Sequence, residues 1–171
     1  MSSTNQPLGP VQVGAVINDV MVDLTSGGSF DLGTQITGAS GQKFVFVQAS
    51  EALALADAVV ITSAGIASKA TKTLVDKGYM VGFVPPMNTG VTSITSGYYF
   101  WAQVSGAGSV NCITGSTSSV SPVYTTASSG ALGTSSAGQS LVRGIFFTAA
   151  NTSGATASRA AVFNNPQSAA F

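Results

Sequence analysis

The run Tyr98 to Val104, YYFWAQV, restricts the fold of this chain more than any other stretch. Read with a period of two, Tyr98, Phe100, Ala102 and Val104 fall on one side of a strand. Tyr99, Trp101, Gln103 and Ser105 fall on the other. Both sides carry aromatic rings, so a strand built this way requires a packed neighbour on each face. That neighbour is either a second layer of the same domain or another subunit. The surrounding segment, Gly78 to Gly106, holds three of the four tyrosines, the only tryptophan and two of the nine phenylalanines, with Pro85 and Pro86 between two apolar runs.

Other short runs repeat the strand pattern. Val11, Val13 and Ala15 alternate with Gln12 and Gly14, and Val20 to Leu24 follows before the turn signal Ser26-Gly27-Gly28-Ser29, which reads as a hairpin. Phe44 to Gln48, Ala58 to Thr62, Ile66 to Ala67, Val110 to Ile113, Val123 to Thr126, Leu141 to Thr148 and Ala157 to Phe163 complete the set, separated by glycine-rich turns. Ser50 to Asp57 is locally helical but spans only about two turns, too few to stand alone, and reads as a bend into the next strand. Lys69 to Lys77 reads as a short helix or a solvated loop. The expected architecture is all-β, an antiparallel sandwich or barrel of jelly-roll type. Its bounds are an extended N-terminal arm over 1–10, a single β domain over 11–163 and a C-terminal tail over 164–171.

Charge narrows the function classes. All six acidic residues precede Gly78, no charged side chain occurs from Gly78 to Val142, and only Arg143 and Arg159 follow. A soluble domain usually carries about 25% charged residues; this chain carries 7%. So little charge keeps few surfaces apart and favours self-association or docking onto a larger partner. No basic cluster is present to neutralise phosphates, which disfavours nucleic acid as a partner. No run reaches the roughly 18 apolar residues of a membrane span, and MSSTNQPLGP lacks the basic and apolar regions of a secretory signal.

Catalytic chemistry is equally sparse. The chain has no histidine, which removes Ser-His-Asp and Cys-His schemes and the commonest transition-metal ligand. Asp19 and Asp23 share a strand face, and with Asp31 or Glu51 they could form a carboxylate pair or a calcium site, but solvated turn carboxylates explain the same residues. Gly106-Ala107-Gly108 leads into a strand rather than a helix and so lacks the context of a phosphate loop. Cys112 is alone, which rules out an intrachain disulfide and fits a small buried residue. Asn151-Thr152-Ser153 is formally a glycosylation acceptor and more simply a turn. The expectation is a protein that is not an enzyme and uses no cofactor or metal.

The order GQKFVFVQASEALALADAVVITSAGIASKATKT, VGFVP, GYYFWAQVSGAGSVNC, VYTTASSGALG and RGIFFTAA resembles the capsid cement, or head decoration, proteins of tailed bacteriophages. Tyr99, Trp101, Gln103, Gly106, Tyr124, Thr125, Thr126, Gly130 and Leu132 fit the family pattern. Ala56, ahead of Asp57-Ala58-Val59, stands where the family usually has glycine. The resemblance spans roughly Gly41 to Ala150 and leaves the arm and the tail uncovered.

The resemblance implies a structural virion protein, made in the host cytoplasm and carried on the outer surface of an icosahedral head. There it would tie major capsid subunits together as a homodimer or homotrimer. Aromatic and apolar surface residues would be its anchors, and Pro85, Pro86, Met87, Tyr99 and Trp101 are the candidates. Ordinary core packing is the alternative for each. The competing function is a carbohydrate- or receptor-binding module of a phage head or tail fibre, stacking sugars on Tyr98, Tyr99 or Trp101.

Overall fold

A computed structural model describes residues 30–38, 40–86, 92–116 and 122–168. The arm over 1–10, the hairpin over 11–24, Asp19, Asp23 and Met87 lie outside the described residues. The elements are β1 (Gln35–Thr37), β2 (Lys43–Ala49), β3 (Leu53–Ala54), β4 (Ala58–Ile61), β5 (Ile66–Lys69), α1 (Lys72–Val75), β6 (Met80–Phe83) and β7 (Ser93–Ile94), followed by β8 (Tyr99–Cys112), β9 (Val123–Thr125), β10 (Leu132–Gly133), β11 (Leu141–Phe147) and β12 (Ala157–Ser168). The fold is all-β, with one single-turn helix capped by Thr71, whose hydroxyl accepts from the Leu74 amide at 3.4 Å.

The long strand β8 organises the sheet. Its first half, Tyr99 to Ser105, pairs with β2, and its second half, Ser105 to Cys112, pairs with β12. Gly106 makes this handover possible: its φ of +92° bends the strand, and a Cβ there would lie 2.9 Å from Gln42 Cγ. The separate strand expected over Val110 to Ile113 is therefore the continuation of β8. Gln103, 3% exposed, holds the bend by donating from Nε2 to the carbonyls of Ser105 and Ala107 at 3.1 and 2.8 Å.

Strand pairing closes on itself twice through β8. One ring runs β8, β2, β5, β4, β6 and returns to β8 at Phe83 and Gln103. The other runs β8, β12, β11, β9, β10 and returns at Leu132 and Cys112. Pairing is antiparallel throughout except between β2 and β5 and between β8 and β10, so the sheet is mixed. Between β2 and β5 the chain first lays down β3 and β4, an excursion long enough to bring β5 back in the same direction as β2.

Each ring has its own core. Val45, Val47, Val59, Ile61, Phe100 and Ala102 fill the first, and Val110, Leu132, Ile145, Phe147, Ala161 and Phe163 belong to the second. The β4 run Ala58–Ile61 is buried at every position because it separates the two: Val59 and Ile61 enter one core, and Ala58 and Val60 enter the other. The segment read as a bend, Ser50 to Asp57, contains β3, where the wholly buried Leu53 pairs with Ile94.

The tail expected from Asn164 is instead strand as far as Ser168. Val142 pairs with Ser168, and Gln167 pairs with both Arg143 and Met80. A bulge carries β12 past Pro166: register shifts between Arg143 and Ile145, where Gly144 has φ +79° and Asn165 has φ +43°. Proline is tolerated at such an irregularity because no ladder amide is required of it.

Candidate interaction surface

The two faces read from YYFWAQV are both filled by this chain. Phe100, Ala102 and Val104 enter the first ring, while Trp101 packs on the opposite face with Phe44 and Phe46, covered by Phe30 and Ile36. Trp101 is 0% exposed, with ring centroids 5.0 Å from Phe46 and 5.2 Å from Phe30. It therefore sits in the core and offers no anchor on this surface. Its Nε1 has no hydrogen-bond partner among the described residues. Tyr99 is half-buried and stacks on Phe46 at 5.7 Å. Pro85 is buried and Pro86 exposed. Of the proposed anchors within the described residues, Pro86 is open and Tyr99 partly so.

Sequence reading missed the most exposed large apolar side chains. Among the described residues these are Phe146 at 47%, Val162 at 39% and Leu32 at 37%. Phe146 and Val162 are directly opposed across the β11–β12 ladder. They form one apolar patch, continued by a hollow of about 250 Å³ lined by Pro122, Leu141, Arg143 and Phe146. A signal for it does exist. Ile145-Phe146-Phe147 and Ala161-Val162-Phe163 are apolar at three successive positions, and in a strand the middle residue must face away from the core that the outer two enter.

The buried polar groups are used structurally. Asn151, 0% exposed, donates from Nδ2 to the carbonyls of Cys112 and Ala155 at 2.8 and 3.0 Å, while its Oδ1 accepts from Ser153 and from Arg159. With its amide enclosed and fully engaged, Asn151 is a turn residue and no glycosylation acceptor in the folded chain. Ser140 donates its hydroxyl to Asp76, and Lys72 Nζ stands 2.8 Å from Asp76 Oδ2 and 3.3 Å from Ser140 Oγ. These hydrogen bonds hold the Asp76 carboxyl below its usual range. The Ser140 proton points to a carboxylate already neutralised by an ammonium, so the cluster ties α1 to the start of β11 and leaves no free base to activate a nucleophile.

Asp57, unlike Asp76, is an enclosed acid. Its Oδ2 accepts from the Ala54 amide at 2.9 Å and its Oδ1 from Asn111 Nδ2 at 3.0 Å, with Lys69 Nζ 3.9 Å from Oδ2. Burial pushes its carboxyl above the ordinary value. Burial likewise raises the Cys112 thiol. Glu51 is exposed and accepts from the Lys69 amide at 2.9 Å, and Asp31 is exposed in a turn. Among the described residues no three histidine, cysteine or carboxylate side chains gather to hold a metal. Comparison with protein-family models, curated proteins and solved structures gives no match.

Proposed function

We propose that this chain is a structural virion protein that binds the outer surface of an icosahedral phage head and stabilises contacts between major capsid subunits. The observation that carries the reading is the opposed Phe146 and Val162 pair, an exposed apolar patch whose flanking hollow includes one charged residue, Arg143. Single exposed apolar side chains are ordinary; a cross-strand pair continuous with a hollow supports docking. The resemblance of the Gly41 to Ala150 motifs to cement proteins points the same way. Stabilisation would follow by mass action, through binding the assembled lattice in preference to free subunits. Of the three rings offered for the sugar-stacking alternative, Trp101 is enclosed, while Tyr98 and Tyr99 are half-buried.

Purified heads lacking the protein provide the test. The wild type should cosediment with them in stoichiometric amount and raise their resistance to heat. Phe146→Ser with Val162→Ser should reduce binding at least tenfold while leaving the unfolding midpoint of the free protein within a few degrees. Failure of the wild type to bind or protect such heads overturns the reading.

A further inference from the structure

Asp57 is closely enclosed, and a lysine stands beside it. The residue is 6% exposed, with one carboxyl oxygen held by Asn111 and the other by the Ala54 amide. Gly130 seals another side, since a Cβ there would lie 2.9 Å from Asp57 Cγ. Lys69 stands beside Asp57 at the diagonal position of the β4–β5 ladder, in which Val59 pairs with Lys69. Its Nζ stands 3.9 Å from Oδ2, and its side chain is 29% exposed. That separation exceeds the roughly 2.7–2.9 Å of a charge-assisted hydrogen bond. Lys69 Nζ has no hydrogen-bond partner among the described residues. Lys69 is thus held beside a buried carboxyl whose two oxygens are pinned by other donors, with its Nζ in contact range of Oδ2 and not locked into a hydrogen bond with it.

We propose that Lys69 and Asp57 condense without an enzyme into an isopeptide bond between Lys69 Nζ and Asp57 Cγ. The reacting form is the neutral pair, reached when the ammonium proton passes to the carboxylate; burial of Asp57 favours this form by penalising the carboxylate. The Nζ lone pair adds to Cγ and the carbonyl π pair moves onto Oδ1, where the Asn111 Nδ2 donor stabilises the developing charge. As the carbonyl re-forms, the bond from Cγ to Oδ2 breaks. Oδ2 departs as water, carrying the acid proton and one proton from Nζ. One amine and one carboxylic acid give one amide and one water, with nothing oxidised or reduced and no further reactant. The Lys69 side chain would then be covalently joined to the start of β4.

Intact-mass measurement of the purified full chain tests this independently of any capsid role. The expected mass is lower than that of the sequence by one water, about 18 Da. Proteolysis should release a branched peptide joining Lys69 to Asp57. Lys69→Arg, which keeps the charge and the ladder position, should restore the full mass and abolish the branched peptide. If that variant fails to fold, the wild-type mass and peptide map decide alone. An unmodified wild-type mass overturns the proposal. So does a loss of about 17 Da, which is ammonia and would place the bond on an amide such as Asn111. A deficit of water without the Lys69–Asp57 peptide overturns it as well.

Discussion

Phe83 and Phe163 stack face to face across the junction of the two rings, their centroids 3.9 Å apart and their planes 11° from parallel. Phe83 lies on β6 and Phe163 on β12, and both belong to the second core. Beneath them Gly108 leaves no room: a Cβ there would lie 2.6 Å from Phe163 Cε2 and 2.7 Å from Gln103 Oε1. Gln103 is pinned by its bonds at the bend and Phe163 by its stack, so neither yields freely. Gly108→Ala should cost about 1–3 kcal/mol, read as a lower urea midpoint at unchanged slope. An unaltered midpoint would mean that the junction is looser than these distances state.

The single tryptophan makes its own enclosure measurable. Trp101 fluorescence should be blue-shifted and nearly insensitive to acrylamide until the protein unfolds. Trp101→Phe removes a buried donor that has no partner among the described residues along with part of the ring, two effects that oppose each other, and should cost less than about 1.5 kcal/mol. Trp101→Ala opens a cavity and should cost about 3–5 kcal/mol in thermal or urea unfolding.

Asn151 is placed to be sensitive even to a near-isosteric change. Asn151→Ala abandons the Cys112 and Ala155 carbonyls together with Arg159, and should cost about 2–4 kcal/mol. Asn151→Asp keeps acceptors for Ser153 and Arg159 but turns an oxygen towards those carbonyls, so it too should lower the midpoint. A neutral Asn151→Asp would show that the acceptor half alone matters.

Acid should loosen the tie between α1 and β11. Hydrogen bonds from Lys72 and Ser140 hold the folded Asp76 carboxyl below the unfolded value of 3.8. The tie therefore contributes fully above about pH 4 and is lost as pH falls through the lower, folded value. Because Asp76 is well exposed, the effect is small. It should appear as a midpoint decline below pH 4 that is shallower in Asp76→Asn and in Ser140→Ala.

What was legible in the sequence was local. Period-two alternation placed β2 and separated the two faces of Tyr98 to Val104, while β-branched and apolar runs between glycine-rich turns placed β4, β5, β9 and β11. Alternation carries no address for the neighbouring strand, so the double closure through β8 had no signature. The enclosure of Trp101 depends on Phe30 and Ile36, which lie far upstream, and the same pattern suits a partner subunit equally well. Val110 to Ile113 read as a strand separate from Tyr98 to Val104 because Gly106 and Gly108 interrupt the apolar run between them. Asn164 to Ser168 read as a tail because a proline in a polar run looks like an end until a bulge supplies the missing register. The meeting of Lys69 with Asp57 is set by the turn between β4 and β5 and by the closure of Gly130 from a distant loop, so neither residue announces the other.

The division of β8 between two partners also sets an order of events during synthesis. Once Cys112 has been added, every strand of the first ring is present, and β2 can pair with Tyr99 to Ser105. The antiparallel partner of Ser105 to Cys112, however, is Ala157 to Asn164, well downstream of β8. A chain in which Ala157 to Asn164 has yet to be made thus displays an open edge of small, uncharged residues. An edge left open in this way is where strand exchange between two copies would begin.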